Sequence, residues 1–542
     1  MMMDHPLLIK TMLDRSNTLF AKKEILSRGL DTDFRYTYGD FYRRVCKLAN
    51  VLKQLGVKKG DVIGTFAWNT HRHMEIYFAV MCSGAVLHTL NVRLFSDHLN
   101  HIVNHAEDKI IFADEDLLPS LEEVADRLKT VENFVVLTDK EEPPSSSLSP
   151  LLHYEKLLED AAEEFVFPGD LDENAPAALC YTSATTGLPK GVRYTHRSLF
   201  LHALTLCTPD AIGISEKDTI LAVVPMFHVF SWGFPFAAAL TGARIILPGR
   251  DLSAPTLCRL IEQEKTTLIA GVPTIWINLY QHLESGASYD LSSLRYILNG
   301  GAPISKSLVE NLEKKHELTV RGTCGMTEAT PVVLTCPLKS YLEKELNDEQ
   351  KFALKAKQGL LLPGLEMKVV NDNGKEIRWD GKEMGELLLK GPWIASEYYK
   401  DPERSSETFK DGWYHSGDIV TVDEEGYVLV QDRSKDLVKS GGEWISSVDL
   451  ENNIMAHPAV IEAAVVAVPN EKWGERPLAC VVLKDAEKEK LSAKDIRAFL
   501  EGKVAKWWMP DQVYFIDEVP KTSVGKFDKK RLREQFTSGQ LG

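Results

Sequence analysis

The sequence lacks a long hydrophobic run and an excess of positive charge, and each absence excludes a class of protein. No apolar segment in the 542 residues approaches the length that spans a bilayer. The first residues, MMMDHPLLIKTML, lack the basic region and cleavage site of a secretory signal. The net charge of -15 argues against general nucleic-acid binding, which needs a concentrated basic face. We therefore expect a cytoplasmic protein whose anionic ligands meet a local cluster of lysines and arginines.

Paired cysteine spacing is also missing. A disulfide framework or a zinc site requires close, regular cysteine pairs, so we expect reduced thiols. Hydrophobic residues make up 44% and charged residues 26%, which is typical of a globular chain, and the length predicts two or more domains. The eight cysteines stand at positions 46, 82, 180, 207, 258, 324, 336 and 480.

Short apolar runs that alternate with helical patterns predict an α/β fold for most of the chain. DVIGTFAWN (61–69) reads as a buried strand, and Met74, Tyr77, Phe78 and Met81 follow it at helical spacing. This pattern is typical of βαβ units, in which helices cover parallel sheets and ligands lie beyond the carboxyl ends of the strands. Further runs between residues 110 and 301 are IIFAD, FVVLTD, AALCYTS, ILAVVPM, RIILPG, TLIAGVP and LRYILNGG.

The pattern changes near residue 366. EMKVVND, GELLLKG and GYVLVQD alternate polar and apolar residues between turn signals, and they predict a small antiparallel layer. After DRSKD (432–436) helices and strands are mixed, with Ser492 as a candidate helix cap. We predict a large N-terminal domain, residues 1–431, of helix-covered parallel-type sheets plus the antiparallel layer. A smaller α+β C-terminal domain would span residues 432–542.

The first candidate site is the stretch YTSATTGLPKG, which follows the apolar strand AALCY. Its hydroxyls and backbone N–H groups can turn toward an anion, its glycine permits a tight turn, and its lysine adds a positive charge. The spacing is not that of the nucleotide loop with Gly-Lys-Ser/Thr, and a Thr/Gly loop by itself is more often only a polar turn. The candidate residues are Thr182, Ser183, Ala184, Thr185, Thr186, Gly187 and Lys190.

Further motifs in order along the chain favour a ligand site. YTSATTGLPKG resembles the phosphate loop of the adenylate-forming superfamily, which includes acyl-CoA synthetases, firefly luciferase and peptide-synthetase adenylation domains. The resemblance extends from about residue 30 to residue 535. Later motifs with the same resemblance are GVPT (271–274), GGAP (300–303), GMTEAT (325–330), DGWYHSGDI (411–419), DRSKDLVKSGGEWIS (432–446) and PKTSVGK (520–526).

Within the superfamily, VPMFHVFSWGFPF (224–236) is most similar to the fatty acyl-CoA synthetases, particularly the homodimeric bacterial long-chain type. The resemblance implies an ATP-dependent fatty acid:CoA ligase for medium- to long-chain acids. Such an enzyme forms an acyl-adenylate, releases pyrophosphate and AMP, and uses Mg²⁺ with ATP and CoA as co-substrates. A carboxylate needs this activation because it is a poor electrophile, and the site must neutralise the charge of the phosphates.

The resemblance also implies residue roles in the nucleotide site. Glu328 matches the Mg²⁺ ligand with Thr182 as its hydroxyl partner, Thr327 holds the α-phosphate, and Asp418 binds the ribose hydroxyls. Without the motifs, Glu328 would read as a solvated acid and Asp418 as part of a turn. The remaining implied nucleotide-binding residues are Val229, Trp232, Gly301, Ala302, Gly322, Thr323, Cys324, Gly325, Met326, Arg433, Lys435 and Lys526, beside the phosphate-loop residues given above.

Three further roles concern the acid. Lys526 matches the mobile lysine that bridges the carboxylate and the α-phosphate, although it also lies in a basic run typical of a solvated tail. His228 resembles the histidine near the substrate carboxylate, and a lone histidine after a strand is more often a core residue. Trp232 matches an indole that gates the acyl tunnel, with Phe230 beside it, although such aromatic stretches more often pack cores.

Two half-reactions at one site imply a moving C-terminal domain. Adenylation requires water exclusion, whereas thioester formation requires pantetheine to enter and Lys526 to leave. Rotation about a hinge near Asp432 would meet both requirements. The residues that the resemblance then places along the pantetheine channel or beside CoA are Lys439, Ser440, Gly441, Gly442 and Trp444.

Two positions depart from the pattern of the superfamily. Ala184 stands where glycine is usual, and if its φ is positive the alanine costs on the order of 1 kcal/mol. Cys324 stands where most relatives place an aromatic residue against adenine, and losing that stacking face weakens nucleotide binding by about 1–3 kcal/mol. Because the hydroxyls, Gly187 and Lys190 remain, we expect the phosphate loop to function.

Alternative functions stay open from the sequence. One is a CoA ligase for a short-chain or sulfur-containing acid such as 3-(methylthio)propionate, and another is a catalytically depleted binding protein supported only by Ala184 and Cys324. The N-terminal 30 residues resemble an arm that supports a homodimer, with packing onto its own domain as the alternative. No amphipathic basic helix or anchor argues for stable membrane attachment.

Overall fold

The computed structural model describes residues 1–29, 32–182, 188–440, 443–488, 490–522 and 526–541. A nine-stranded sheet forms the middle of the fold, and its six central strands are parallel to one another. In spatial order its strands are Leu360–Leu361, Val332–Thr335, Val320–Gly325, Tyr296–Asn299, Leu268–Gly271, Thr219–Leu221, Arg244–Leu247, Glu24–Arg28 and Asp33–Thr37.

A second, seven-stranded sheet is parallel except for its last strand, which closes the sheet as an antiparallel edge. Most residues of its central strands are buried and apolar, as expected for a parallel sheet covered on both faces. In spatial order they are Leu151–His153, Asn133–Leu137, Asp108–Asp114, Val62–Phe66, Val86–Thr89, Pro176–Tyr181 and Gly191–Thr195.

Helices cover both sheets. His71–Cys82 is buried along its whole length, because it packs within the shared core of the fold, and Thr70 caps it by accepting from the His73 amide. The other helices before residue 432 are Ile9–Phe20, Tyr38–Gln54, Ser96–Ala106, Leu118–Glu122, Tyr154–Glu159, His196–Leu206, Phe234–Thr241, Ala254–Glu264, Pro273–Glu284, Lys306–His316, Leu342–Glu345, Asp348–Lys355 and Pro402–Thr408.

The N-terminal helix packs onto its own chain. Ile9, Met12 and Leu13 are fully buried in the main core, and the Leu7 amide donates to Glu173 Oε2 at 2.8 Å. This agrees with the second of the two alternatives for the N-terminal segment, and the homodimer stays a prediction.

The small antiparallel layer lies where the alternating pattern predicts it. Its longest strand, Trp413–Val422, pairs with three others and opposes the strand that ends at Arg433, so Asp418 faces Arg433 directly. The five strands are Glu366–Val370, Gly385–Lys390, Phe409–Lys410, Trp413–Val422 and Val428–Arg433.

Beyond residue 432 the chain forms the predicted α+β arrangement, with a sheet against three helices. The Ser492 amide donates to Asp495 Oδ2 at 2.8 Å in a capping box, which confirms the predicted cap. The helices are Ser447–Met455, Ala493–Leu500 and Lys529–Thr537, and the strands are Val438–Ser440, Glu443–Ile445, Val460–Asn470, Gly474–Leu483 and Gln512–Phe515.

The α/β class, with its large N-terminal part and smaller α+β C-terminal part, is therefore confirmed. Within the residues that the structure describes, no helix is both long and apolar enough to cross a membrane.

Candidate active site

A cavity of about 880 Å³ opens where the carboxyl ends of the central parallel strands meet the C-terminal part of the chain. Loops after the strands Leu268–Gly271, Tyr296–Asn299 and Val320–Gly325 form its floor. This is the position where open α/β sheets bind ligands, because loops after parallel strands meet at one edge. The predicted motifs GVPT, GGAP and GMTEAT all contribute to its lining.

Lys526 enters this cavity from the C-terminal part. A β-carbon built on Gly301 would lie 3.6 Å from Lys526 Cε, so the lysine stem reaches the GGAP loop. Burial lowers the pKa of Lys526, and Arg433 lowers it further while Asp418 opposes the shift. Backbone hydrogen bonding closes the turn behind it, because the Thr522 amide donates to the Lys526 carbonyl at 2.7 Å. Lys526 therefore does not sit in a solvated tail.

Asp418 and Arg433 form an ion pair at the same end of the cavity. Arg433 Nε lies 2.5 Å from Asp418 Oδ1, and Asp418 is only 4% exposed. Burial raises the pKa of Asp418, and the charges of Arg433 and Lys526 oppose that rise. The register of two adjacent strands places this carboxylate beside Arg433, and Asp418 lines the cavity, where a carboxylate can accept from a hydroxyl ligand.

The ends of the phosphate-loop stretch are fastened to each other. The Thr182 amide donates to the Lys190 carbonyl at 2.9 Å, and the Lys190 amide donates to Thr182 Oγ1 at 3.1 Å. Thr182 and Lys190 both line the cavity. Five predicted residues of this loop lie outside the described part of the chain: Ser183, Ala184, Thr185, Thr186 and Gly187. The expectation about the φ of Ala184 therefore stays a prediction.

Glu328 lies beside Lys190 in a network that also contains Tyr398. Glu328 is 7% exposed, and its Oε1 accepts from the Tyr398 hydroxyl at 2.6 Å. Lys190 Nζ donates to the same hydroxyl oxygen at 2.8 Å and lies 4.1 Å from the centroid of the Tyr398 ring. Tyr398 therefore connects the lysine of the phosphate loop to the predicted metal ligand.

The donor set fits a Mg²⁺ ion that arrives with a nucleotide. Glu328 supplies one buried carboxylate, and Thr182 and Thr327 also line the cavity. In the described part of the chain, no group of three or more His, Cys, Asp or Glu side chains could hold a metal. One carboxylate completed by phosphate oxygens and water is a usual coordination for Mg²⁺. The residues therefore suit a metal held jointly with phosphates.

Comparison with known proteins identifies the chain at this point. The AMP-binding enzyme family matches residues 13–399, and the family of AMP-binding enzyme C-terminal domains matches residues 449–526. The chain belongs to the AMP-binding enzyme family. It is similar to the "Long-chain-fatty-acid--CoA ligase" of Thermus thermophilus, with 46% identity over 99% of this chain and 96% of the relative.

Two further proteins extend the comparison. The "3-methylmercaptopropionyl-CoA ligase" of Ruegeria lacuscaerulensis is 40% identical over 100% of this chain and 99% of its own length. The anthranilate CoA ligase AuaEII in complex with anthranoyl-AMP has a TM-score of 0.88 and 25% identity, and the match covers 99% of both chains. The resemblance to the adenylate-forming superfamily is therefore confirmed.

Cys324 lies in the wall of the cavity of this AMP-binding enzyme. Burial raises the pKa of its thiol to about 12, so the thiol stays protonated at neutral pH and has little nucleophilic reactivity. Thiol-based regulation at this cysteine therefore gains no support. Cys324 matters for another reason: a cysteine lacks the aromatic surface that the superfamily pattern predicts against adenine at this position.

We expect Cys324→Tyr to tighten ATP binding. An aromatic ring at this wall would stack on adenine, and stacking of one base is worth about 1–3 kcal/mol, so the KM for ATP falls roughly 5- to 150-fold. The measurement is an ATP titration of pyrophosphate release at saturating acid. A KM equal to or above that of the unmodified enzyme would reject the idea that adenine lies against Cys324.

We expect Tyr398→Phe to weaken ATP binding. The variant keeps the ring but removes the donor to Glu328 and the acceptor for Lys190, and hydrogen bonds to charged groups are worth about 1.5–3 kcal/mol. The KM for ATP should therefore rise about tenfold, measured at fixed Mg²⁺. Tyr399→Phe is the matched control, because the Tyr399 ring packs against His105 outside the cavity. Equal KM values for the two variants would contradict the role of Tyr398.

Of the acid-side residues, Phe230 and Trp232 lie in a left-handed turn, and His228 precedes it in extended backbone. His228, Val229 and Trp232 line the cavity, and burial with a contribution from Lys526 lowers the pKa of His228 to about 3, so its ring is neutral. Trp232 packs on Gly300, where an added β-carbon would lie 2.6 Å from the indole Cη2. Phe230 is 1% exposed and does not line the cavity, because it packs in the aromatic core. Its acyl-binding role stays a prediction.

The predicted CoA residues are not brought to the cavity. Lys439 lies over the ring of Trp444, with Nζ 4.4 Å from the centroid, and Ser440 Oγ accepts from Arg476 Nη1 at 3.1 Å. None of these lines the cavity, and Gly441 and Gly442 fall outside the described residues. Contact with pantetheine therefore stays a prediction that requires a different placement of the C-terminal part.

The structure brings most of the predicted nucleotide residues together. Gly322 does not line the cavity, because its backbone is enclosed: an added β-carbon would lie 2.3 Å from the Lys357 carbonyl oxygen. Tyr398 was missed by sequence reasoning, since a tyrosine in EYYKDP carries no motif signal of its own. The predicted residues found in the lining are Thr182, Lys190, His228, Val229, Trp232, Gly301, Ala302, Thr323, Cys324, Gly325, Met326, Thr327, Glu328, Asp418, Arg433, Lys435 and Lys526.

Proposed function

We propose that this AMP-binding enzyme is an ATP-dependent fatty acid:CoA ligase that acts on medium- to long-chain acids through an acyl-adenylate. The observation that carries the proposal is the meeting of Lys526 with Asp418, Arg433 and His228 in one cavity. The similarity to the long-chain ligase of Thermus thermophilus over nearly the whole chain supports the choice of substrate. The products would be acyl-CoA, AMP and pyrophosphate.

In the first half-reaction a carboxylate oxygen attacks the α-phosphorus of ATP, and the bond to the β-phosphate breaks to release pyrophosphate. In this proposal the Lys526 ammonium group contacts the carboxylate and the α-phosphate together, which offsets their repulsion. The neutral His228 ring can orient the carboxylate without adding charge. Because Lys526 is largely enclosed, this charge acts in a site of lowered dielectric, where it is worth more than in water.

The nucleotide would be held at both ends. Asp418 accepts from the ribose hydroxyls while Arg433 keeps its carboxylate oriented, and Thr182 and Lys190 contact the phosphates. Mg²⁺, when bound, would neutralise phosphate charge beside Glu328. The Tyr398 hydroxyl remains a donor to Glu328, because burial and the nearby carboxylate raise its pKa.

In the second half-reaction the thiol of CoA attacks the acyl carbon, AMP leaves, and the thiol proton passes to solvent. Lys526 lines the cavity, whereas Lys439, Ser440 and Trp444 do not. We therefore propose that residues from 432 onward rotate as a mobile domain, which withdraws Lys526 and brings the KSGGEW segment to the cavity. The proposed hinge, Asp432, lies at the boundary of the two parts, where its Oδ2 accepts from the Ser447 amide at 3.0 Å at the start of the helix Ser447–Met455.

The test is pyrophosphate release and CoA-thioester formation across straight-chain acids from acetate to palmitate. A maximum at medium or long chains, with both products in equal amounts, is the expected result. Thioester formation that peaks at acetate or propionate would reject the chain-length part of the proposal, and no product with any acid would reject the reaction.

A second candidate is a ligase for a sulfur-containing acid such as 3-(methylthio)propionate. It is favoured by the 40% identity to the 3-methylmercaptopropionyl-CoA ligase of Ruegeria lacuscaerulensis. Including this acid in the same series separates the two candidates, because kcat/KM for it would exceed that for palmitate. The homodimer and the cytoplasmic location are part of the proposal, and size-exclusion chromatography with light scattering tests the dimer.

A further inference from the structure

The turn that carries Trp232 has a backbone that L-amino acids rarely adopt. Five consecutive residues have positive φ: 42° at Val229, 55° at Phe230, 51° at Ser231, 54° at Trp232 and 84° at Gly233. Only the last of these is a glycine, so four residues with a β-carbon adopt the left-handed conformation, which is sterically unfavourable for them. Such strained segments persist only where the surrounding structure holds them from several directions.

Asn69, from another part of the fold, holds the segment that leads into this turn, residues 222–226, which we call the stem. Its Nδ2 donates to the carbonyls of Ala222 at 2.7 Å and Val224 at 2.8 Å, and its Oδ1 accepts from the Met226 amide at 2.7 Å. Asn69 is 3% exposed and follows the strand Val62–Phe66 of the seven-stranded sheet, whereas the turn follows a strand of the nine-stranded sheet. One side chain thus satisfies three backbone groups of a distant segment.

Two hydroxyl groups hold the same segment together with the Asn69 amide. Ser231 Oγ donates to the Val224 carbonyl at 2.7 Å, so this oxygen accepts from both the turn and Asn69. The Tyr77 hydroxyl donates to the Met226 carbonyl. The backbone at Val224 and Met226, on either side of Pro225, is therefore held from two directions, four and two residues before His228.

On its other side, the indole of Trp232 packs closely against the GGAP loop. Trp232 packs on Gly300, where even one added carbon would lie 2.6 Å from the ring. The GGAP loop therefore limits the indole on one side, and the strained turn limits it on the other. A shift of the stem must move Trp232 within the cavity.

We propose that Asn69 is a positioning residue that holds the left-handed turn, sets the places of His228 and Trp232, and thereby determines which acyl chains fit. The inference rests on the proposed ligase function for its substrate readout. Asparagine suits the role because the clamp needs two donors and one acceptor from one short side chain. An aspartate would direct a carboxylate at two buried carbonyls. An alanine would remove the Asn69 partner of the Ala222 carbonyl and the Met226 amide, and would leave the Val224 carbonyl with Ser231.

The experiment compares Asn69→Asp, Asn69→Ala and Ser231→Ala with a matched control, Asn50→Ala. Asn50 Nδ2 also ties two distant segments, since it donates to the carbonyls of Ala162 at 2.9 Å and Glu164 at 3.0 Å, but Asn50 does not line the cavity. Two readouts are taken on the full chain. One is KM for a series of acids and for ATP, and the other is hydrogen exchange of peptides that cover residues 222–233 without any ligand.

For the Asn69 variants we expect KM for the preferred acid to rise about tenfold and the preferred chain length to change, while KM for ATP stays within about twofold. Exchange in residues 222–233 should accelerate by about tenfold or more in these variants and not in Asn50→Ala. Ser231→Ala should move both readouts in the same direction by less. It keeps the test decisive if an Asn69 variant does not fold, because it removes a bond to the same Val224 carbonyl.

Unchanged acid preference together with unchanged exchange at residues 222–233 would overturn the proposal. So would parallel rises in both KM values with exchange that accelerates throughout the chain, because these indicate only general destabilisation. If the unmodified enzyme forms no thioester, the proposed function fails separately, and the exchange readout still decides whether Asn69 holds the turn.

Discussion

We expect the Lys526→Ala variant to form acyl-adenylate roughly 100- to 1,000-fold more slowly, because it removes a cation placed in advance against the developing charge. Lys526 reaches the GGAP loop inside the cavity, whereas Lys529, which also lines the cavity, is paired with Glu451 at 2.8 Å. The lysine is needed only while the carboxylate attacks the phosphate. Thioester formation from acyl-adenylate supplied in solution should therefore stay within about threefold of the unmodified rate.

The two half-reactions are measured separately, as pyrophosphate release without CoA and as thioester formation from synthetic acyl-adenylate. Lys521→Ala is the control, because Lys521 lies in the same basic run and pairs with Glu462 at 2.9 Å outside the cavity. Equal losses in both half-reactions would contradict the assigned role, since they would place Lys526 in general binding or folding.

The second large effect concerns Asp418→Asn. The variant removes a charged acceptor for the ribose hydroxyls and leaves Arg433 without its partner at 2.5 Å. Hydrogen bonds to charged groups are worth about 1.5–3 kcal/mol, so we expect KM for ATP to rise roughly 10- to 100-fold. The KM for the acid should change little, because the proposed partner of Asp418 is the ribose and not the acid.

Initial rates at varied ATP and saturating acid measure this effect. Asp423→Asn serves as the control, because Asp423 ends the same region of the small sheet and pairs with Lys357 at 2.5 Å away from the cavity lining. An unchanged KM for ATP in Asp418→Asn, or the same rise in Asp423→Asn, would remove the ribose role from Asp418.

The elements of the fold were predictable where local signals agree. DVIGTFAWN became the strand Val62–Phe66, and the following helical spacing became His71–Cys82, because length and periodicity distinguish the two. The order of strands in space was not predictable. Glu24–Arg28 pairs with Arg244–Leu247, more than 200 residues away in the chain, and no local pattern specifies such a partner.

The candidate site divides in the same way. Lys526, Glu328 and Asp418 belong to sequence motifs, so the resemblance located them before any contact was known. Tyr398 and Asn69 act through contacts that only the tertiary structure creates, 70 residues from Glu328 in one case and 157 from Met226 in the other. Phe230 does not line the cavity although Trp232, two residues later, does. The left-handed turn directs the Phe230 side chain into the aromatic core and the Trp232 side chain to the cavity.

The most direct test of adenylate chemistry in this cavity is to mix the enzyme with ATP, Mg²⁺ and palmitate without CoA and to identify the bound product by mass spectrometry. We predict one palmitoyl-adenylate per active site with an equal amount of pyrophosphate, and its conversion to palmitoyl-CoA and AMP when CoA is added. Release of ADP and phosphate, or no product until CoA is present, would contradict an acyl-adenylate intermediate.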